Sequence, residues 1–293
     1  MTAIPFVTLD EPRYGAAVPV SPLVRRVIAN NPSKYTYLGT GTYIVGDGDV
    51  AVIDPGPILD EHRDALIAAL DGARVRAILV THCHSDHSPL AAWLREETGA
   101  PTIAFGPHAS VEADPIEDGM TLEETTDTDF DPDVRVGDGE VAAMGVGWTM
   151  RAVHTPGHTS NHMCYALDEE RALFTGDHVM GWSTTVVSPP DGDMRDYIDS
   201  LRKVMARDDA TLWPTHGAPV TAPRPFLQAF LEHRLQREAQ VLAAVRSGVA
   251  DIEAIVKLMY ADVREELHKA AARSVLSHLM KLVDDGAVTR TGR

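Results

Sequence analysis

The sequence predicts an α+β protein in which a β-rich region is followed by a small all-α region. Up to about residue 220, short runs rich in β-branched and aromatic residues alternate with amphipathic helical segments. Four of these runs are each followed by a loop that contains a histidine or an aspartate. The β-pattern stops after Pro225, and helical periodicity fills nearly all of the remaining chain.

The composition is that of a globular protein with a substantial core. The chain has 293 residues, of which 44% are hydrophobic and 24% charged. The stretch Met1 to Val20 lacks the features of a signal peptide, and no apolar run approaches a membrane span. The only cysteines are Cys83 and Cys164, too few for a disulfide framework. We therefore expect a cytoplasmic protein without a membrane partner.

The charge is unevenly distributed along the chain. The formal net charge is -17, yet residues 221–293 carry 11 Lys/Arg against 9 Asp/Glu. The strongly acidic part is therefore the region before residue 221. Such a field repels polyanions, which disfavours RNA as a substrate and favours a small molecule.

The β-rich region begins after an irregular, proline-rich lead-in, residues 1–34, in which Leu23 to Ala29 is predicted as a short helix. The predicted strands are Tyr35–Leu38, Thr42–Val45, Val50–Ile53, Val75–Val80, Pro101–Phe105, Val141–Ala143, Thr149–Val153, His162–Ala166, Arg171–Thr175 and Thr211–Trp213. Gly46-Asp47-Gly48 predicts a hairpin turn. The predicted helices of this region are Asp60–Leu70, Leu90–Thr98 and Met194–Ala206. The acidic segment 112–140 is interpreted as a solvated loop.

Potential metal ligands follow four of the predicted strands. His82, His84, Asp86 and His87 come directly after the apolar run Val75–Val80. The other three candidates also follow strands, and they are His158, Asp177 and His216. Imidazole and carboxylate groups are typical ligands of zinc, and a pair of ions needs about three protein ligands each plus a bridging carboxylate. The set is large enough for two ions.

The C-terminal region predicts a winged-helix-like module. Its elements are the helices Phe226–Arg246, Asp251–Tyr260 and Glu265–Asp284 and a short strand Ala287–Thr291. Lys269 and Arg273, one turn apart, are candidates for substrate selection or nucleic-acid contact. The favoured alternative is a packing or dimerisation unit, which leaves a homodimer through this module open.

These motifs resemble the metallo-β-lactamase-fold hydrolase superfamily. The matching residues are Thr81 to His87, Gly157-His158, Gly176-Asp177 and Thr215-His216-Gly217. The resemblance implies a four-layer αββα sandwich at 35–222, with 223–293 as the winged-helix-like domain. It also implies that His82, His84 and His158 hold the first metal, that Asp86, His87 and His216 hold the second, and that Asp177 bridges them.

A finer similarity connects the chain to the β-lactamase-like protein 2 group. It is carried by His154 to Thr159, by Gly176 to Gly181 leading into Thr184 to Val187, and by the C-terminal module. One member type of that group is an endoribonuclease. Thr215-His216-Gly217 departs from the Gly-His-Gly of many relatives, although the histidine is kept.

The resulting hypothesis is a dinuclear metal-dependent hydrolase in which a metal-bridging hydroxide attacks a small ester, thioester or lactone, with Asp86 and Asp177 orienting the nucleophile. Zinc is the first choice of metal, and manganese or iron stays open because no sulfur ligand is present. The alternatives are an endoribonuclease or phosphodiesterase acting on single-stranded RNA, and a non-catalytic, metal-stabilised interaction protein. Whether His154, His162 and His178 support the ligands is left open, whereas Cys83 is predicted to face away from them.

Overall fold

Two β-sheets form the centre of the molecule. The computed structural model describes residues 3–9, 11–109, 125–249, 251–260 and 268–290. The first sheet contains, in spatial order, β1 (Val18–Pro19), β2 (Val24–Ile28), β3 (Gly41–Val45), β4 (Asp49–Ile53), β5 (Arg74–Leu79), β6 (Thr102–Ala104) and β7 (Val134–Arg135). The second contains β8 (Val141–Gly145), β9 (Trp148–His154), β10 (Met163–Leu167), β11 (Ala172–Gly176) and β12 (Thr211–Pro214), in the spatial order β12-β11-β10-β9-β8.

Helices cover the outer faces of both sheets and form the C-terminal region. They are α1 (Asp60–Ala69), α2 (Leu90–Thr98), α3 (Met194–Met205), α4 (Pro223–Arg246), α5 (Ile252–Met259) and α6 (His268–Asp284). Gly99 ends α2 in the left-handed conformation, with φ of 69°, as the glycine at that point predicts. The helices predicted at 60–70, 90–98 and 194–206 are thus confirmed within a residue at each end.

The apolar side chains divide into layers that match this architecture. The cluster between the sheets includes Tyr43 and Ile53 from the first sheet and Trp148 and Phe174 from the second. A second cluster joins the outer face of the first sheet to α1 and α2, and a third joins the outer face of the second sheet to α3 and α4. Because strands buried on both faces need cover on each side, the result is an αββα sandwich. A fourth cluster holds α4, α5 and α6 together.

The strand directions bring the ligand-bearing loops to one edge of the sandwich. In the second sheet β11 is parallel to β12, and β9 and β11 both run antiparallel to β10. The carboxyl ends of β9, β11 and β12 therefore point the same way. The carboxyl end of β5 meets them there, since Thr81 O accepts a hydrogen bond from Met163 N at 2.8 Å. Gly41 N likewise donates to Thr215 O at 2.8 Å across the sheets.

The predicted helix at Leu23–Ala29 is wrong, because Val24–Ile28 is strand β2. It pairs with β3 along its whole length, from Val24 opposite Val45 to Ile28 opposite Gly41. Apolar residues at 24, 27 and 28 fit helical spacing, but the strand is buried on both faces, so the period of two is absent. Arg26 is buried because its Nη1 donates to Gly217 O at 2.8 Å.

Two other predicted strands do not form. Residues 34–36 and 38 are turn residues instead, because Ser33 Oγ accepts hydrogen bonds from Tyr35 N and Thr36 N, both at 3.1 Å. Residues 287–290 after α6 form no strand, and residue 291 lies outside the described residues. The segment 112–140 is described only from residue 125, and there it includes β7 at the sheet edge. Among the described residues, no helix has the length and apolar character to cross a bilayer.

Candidate metal centre

Three histidines converge at the junction of the two sheets. His82 and His84 follow β5, and His158 follows β9. Nδ1 of His84 lies 3.0 Å from Nε2 of His82 and 3.2 Å from Nε2 of His158. Gly157, with φ of 129°, makes the turn before His158, and a Cβ there would lie 2.4 Å from backbone atoms of Tyr197. The predicted first set of ligands is therefore assembled around one point.

The second predicted set lies beside the first and carries negative charge. Oδ2 of Asp86 lies 3.2 Å from Nε2 of His216 and 3.4 Å from Nε2 of His87. His87 and His216 are almost completely buried. The six-residue loop after β5 thus contributes to both sets, with His82 and His84 in one and Asp86 and His87 in the other.

Asp177, at the end of β11, faces both sets. Its Oδ1 lies 3.4 Å from Nε2 of His216 and 3.6 Å from Nε2 of His87. Its Oδ2 lies 3.9 Å from Nε2 of His158. One carboxylate with its two oxygens turned toward different ligand sets has the geometry of a bridge between two cations.

The two sets differ in protonation. Burial and the neighbouring imidazoles hold the pKa of His82 well below its usual range, and burial lowers the pKa of His84 to about 3. At His87 burial opposes the charged form, but the carboxylates of Asp86, Asp54 and Asp177 outweigh it and raise the pKa to about 9. His82 and His84 are therefore neutral at pH 7, as ligating imidazoles must be, whereas the imidazoles of the second set hold protons between its carboxylates.

The residues of the centre suit divalent cations. Nε2 of His87 and Oδ1 of Asp177 are buried, and neither has a hydrogen-bond partner within the described part of the chain. Buried polar atoms are normally paired, so two unpaired atoms facing each other indicate a place for a cation. Potential ligand atoms lie within 4.8 Å of one another in three groups: His82, His84 and His158; His82, His87 and Asp177; and Asp86, His87 and His216.

Asp54 is a residue of the centre that sequence reasoning missed. It is fully buried after β4, and its Oδ2 lies 2.9 Å from Nδ1 of His87. The same carboxylate accepts hydrogen bonds from Thr81 N and Thr81 Oγ1, both at 2.8 Å, and from Thr215 Oγ1 at 3.1 Å. It therefore fixes the His87 ring with Nε2 toward the site, as carboxylates behind ligating histidines do. An aspartate at the end of a buried strand was the signal that could have identified it.

Other contacts hold the remaining groups of the second set. Gly39 O accepts from Nδ1 of His216 at 3.2 Å, and Thr40 Oγ1 donates to Oδ2 of Asp86 at 3.2 Å. His162, buried behind the ligands, accepts a hydrogen bond from Asp177 N through its Nε2 at 3.2 Å. Of the three histidines left open by the sequence, His162 therefore contacts the predicted ligand Asp177 directly.

The other two histidines do not contact a ligand through the hydrogen bonds that the structure gives. His154 stacks on Phe105 with ring centroids 4.0 Å apart, and Nε2 contacts Ser160 O at 3.2 Å. The imidazole of His178 is fully buried next to Tyr197, with ring centroids 5.1 Å apart.

Cys83 faces away from the predicted ligands, as the sequence predicts, and both cysteines are buried. Cys83 is buried in the layer beneath α2, away from the ligands, and burial raises the pKa of its thiol to about 12. Cys164 lies in the layer beneath α3, and burial raises the pKa of its thiol to about 12 as well. His278 is buried as well, where α6 packs against α4.

A stacked aromatic pair flanks the second set. The rings of Tyr37 and Trp182 lie 4.8 Å apart at an interplanar angle of 15°, and both side chains are partly exposed. Trp182 packs on Gly217, next to His216, where an added Cβ would lie 3.0 Å from its Cδ1. Tyr37 has a φ of 55°, which is strained for an aromatic residue. The two aromatic rings form an apolar surface beside the second set of residues.

The family assignment follows from a model described as the metallo-beta-lactamase superfamily, which matches residues 37–216, more than half of the chain. The chain belongs to the metallo-beta-lactamase superfamily. A second model, described as the beta-lactamase associated winged helix domain, matches residues 252–293. The fold and the type of C-terminal module predicted from the sequence are thereby confirmed.

Curated relatives of this superfamily member match nearly its whole length. The lactamase-like protein notP of Aspergillus sp. (strain MF297-2) is 32% identical over 291 residues, which cover 92% of this chain and 83% of that protein. An atrochrysone carboxyl ACP thioesterase of Aspergillus chevalieri is 31% identical over 283 residues, covering 92% of this chain and 83% of that protein. Membership of the superfamily and these thioesterase-named relatives support a hydrolase, and the superfamily generally binds metal ions.

Solved structures agree with the architecture. A beta-lactamase domain protein from Burkholderia ambifaria superposes with a TM-score of 0.77 at 24% identity, covering 94% of this chain and 90% of that chain. A metallo-beta-lactamase family protein from Thermus thermophilus gives a TM-score of 0.71 at 21% identity, covering 94% of this chain and 97% of that chain. At these identities the likeness bears on the fold alone.

Proposed function

We propose that the protein is a dinuclear metal-dependent thioesterase. Its substrate is an acyl group bound as a thioester to an ACP, and hydrolysis releases that group as a carboxylic acid. The observation that carries the proposal is the position of Asp177, whose two carboxylate oxygens face the two ligand sets separately. The relatives named ACP thioesterases, about 30% identical over 92% of this chain, support thioesters among the substrates of such a site.

The distances between potential ligand atoms separate the residues into one group for each cation. One ion would be held by His82, His84 and His158, and the other by Asp86, His87 and His216. Asp177 would contact both ions. Zinc is the expected metal for these ligands. Bound there, the ions would supply a hydroxide nucleophile near neutral pH, by lowering the pKa of water from about 15.7 to near 7, and would polarise the carbonyl of the substrate.

The protein's own groups prepare the attack. Asp86 and Asp177 orient the attacking water, because imidazoles around them keep both carboxyl groups ionised, with pKa values well below the usual range although burial opposes this. Asp54 and Thr40 hold His87 and Asp86 in place, so that little reorganisation is needed during the reaction. The products are the free acid and a thiol.

The leaving group favours a thioester over an amide. A thiol with a pKa near 8.5 departs as a thiolate, whereas an amine must be protonated as it leaves. Carboxylates held ionised cannot give that proton at pH 7. The acyl part is placed against Tyr37 and Trp182, whose stacked rings offer an apolar surface beside His216.

The test is turnover of four substrates by zinc-loaded protein: an acyl thioester, the matching oxygen ester, a lactone and a single-stranded RNA oligomer. We expect thiol release from the thioester, lost on chelation and restored by zinc. The matched control is Asp168→Asn, which changes an exposed aspartate paired with Arg151 and should leave the rate unchanged. Cleavage of RNA without thiol release from any thioester would overturn the proposal.

A further inference from the structure

The ring of His158 is oriented by the loop between β11 and α3, which also contacts the C-terminal helices. Nδ1 of His158 lies 2.6 Å from the carbonyl oxygen of Val186. A carbonyl can only accept a hydrogen bond, so Nδ1 carries the proton and Nε2 is left free for a metal. The position of Val186 therefore sets both the tautomer and the direction of this ligand.

Two arginines of the C-terminal helices hold that segment on either side of Val186. Arg234 of α4 donates through Nη2 to Thr185 O. Arg273 of α6 donates to Ser188 Oγ and to Pro189 O. Both arginines are buried, with 3% and 9% of their surface exposed. The planar guanidinium suits this task because it directs several N–H groups at fixed angles.

Arg234 also reaches the site by a second route. Its guanidinium lies 5.0 Å from the ring centroid of Tyr197. The hydroxyls of Tyr197 and Thr185 both donate to His178 O, at 2.9 and 3.0 Å. His178 immediately follows Asp177. The same arginine therefore packs on a side chain that is hydrogen-bonded to the backbone next to Asp177.

Three other predicted ligand histidines have an Nδ1 hydrogen bond behind the site, and all three are oriented within the sandwich. His87 is held by Asp54, His216 by Gly39 O, and His82 by Thr81 Oγ1 at 3.0 Å. His158 alone among these four depends on a segment held by α4 and α6. Burying an arginine is costly unless it is well bonded. Two such residues on one short segment indicate that its position is important to the protein.

We infer that Arg273 and Arg234 are positioning residues for His158, so that the C-terminal helices complete the first ligand set from behind. Arg273 is the sharper case, because its two acceptors lie two and three residues beyond Val186. It was a candidate for nucleic-acid contact from the sequence, but its guanidinium is turned into the protein. The inference rests on the metal site of the proposed function and not on the identity of the substrate.

The test is the affinity for two zinc ions by chelator competition, with the visible spectrum of the cobalt-loaded protein. We expect Arg273→Met to lower the affinity for one of the two zinc ions by about 10- to 100-fold, the usual loss when a group that orients a ligand is removed. The spectrum of the cobalt-loaded protein should change as well. Arg273→Lys should recover part of the affinity. The matched control is Arg195→Met, which removes the ion pair between Arg195 and Asp285 at 2.7 Å, another link between α3 and the C-terminal region.

Wild-type affinity for both ions in Arg273→Met would overturn the inference, as would an equal loss in Arg195→Met. If Arg273→Met does not fold, Ser188→Ala provides the same test, since it removes one acceptor and keeps the arginine. Weaker binding of one zinc ion by Ser188→Ala supports the inference, and unchanged zinc binding overturns it. Because no substrate enters the measurement, absence of thioesterase activity would count against the proposed function alone.

Discussion

The two ligand sets of the centre are supported and charged in different ways. His82, His84 and His158 form a set of imidazoles, with the pKa values of His82 and His84 lowered by burial. Asp86, His87 and His216 form a set in which carboxylates raise the pKa of the two imidazoles. The first set is completed by contacts to the C-terminal helices, and the second by residues within the sandwich. Each ligand set, which forms one half of the centre, can therefore be disturbed separately by mutation.

The largest effect is expected where the two halves join. Asp177→Asn removes the charge that faces both sets, and kcat/KM for a thioester should fall by about 10² to 10³-fold, as when a group that stabilises the reacting charge is lost. Steady-state kinetics with the Asp168→Asn control measures the loss. A variant that retains wild-type kcat/KM would show that Asp177 is no bridge.

Zinc binding at the second half alone should weaken when Asp54, the buried carboxylate behind His87, is changed. Asp54→Asn keeps the size of the side chain but lowers the basicity of His87, so one zinc ion should bind about 10- to 100-fold more weakly. Chelator competition measures this change. Asp60→Asn, at a side chain that is 96% exposed, is the control. Equal weakening of both ions would contradict the separate support of the two halves.

The two halves should also respond differently to pH. In the metal-free protein His87 has a pKa of about 9 and is protonated at pH 7, so the ion bound there must displace a proton. The affinity for that ion should rise about tenfold per pH unit between pH 6 and 8 for each proton displaced, whereas His82 and His84, with pKa values below this range, release no proton when an ion binds. Calorimetry in buffers of different ionisation enthalpy counts the protons. Equal proton release by both ions would contradict the assignment.

The smallest effect is expected at the aromatic surface beside the second half. Trp182→Leu removes the stacking partner of Tyr37, and KM for a thioester with an aromatic acyl group should rise by about 2- to 10-fold, the value of one aromatic contact. Trp93→Leu, at a tryptophan of α2 that contacts Arg63, is the control. An unchanged KM would remove the pair from substrate binding.

The sequence predicted which side chains meet at the centre because several strands end at the same edge of the sandwich. His82, His158, Asp177 and His216 each follow a strand, and parallel strand ends meet in space. The supports could not be predicted in that way. Asp54 lies 33 residues from His87, and Arg273 lies 84 residues from Pro189. Such contacts depend on how distant elements pack, which local pattern does not encode.

The same limit explains the missed strand. Val24–Ile28 has helical spacing of its apolar residues, and it is a strand because it pairs with β1 and β3 and because Arg26 contacts Gly217 O. Tertiary contacts therefore overrode the local pattern. They did so next to the site, since Gly217 follows His216 in the chain.

The most direct test of the proposed site is a zinc titration of the metal-free protein, with bound zinc and thiol release measured at each loading. Two ions per chain should bind, and thioester hydrolysis should reach its full rate only when the second ion is bound. Full thioester turnover with one ion per chain, or with none, would contradict a centre in which Asp177 joins two metal sites.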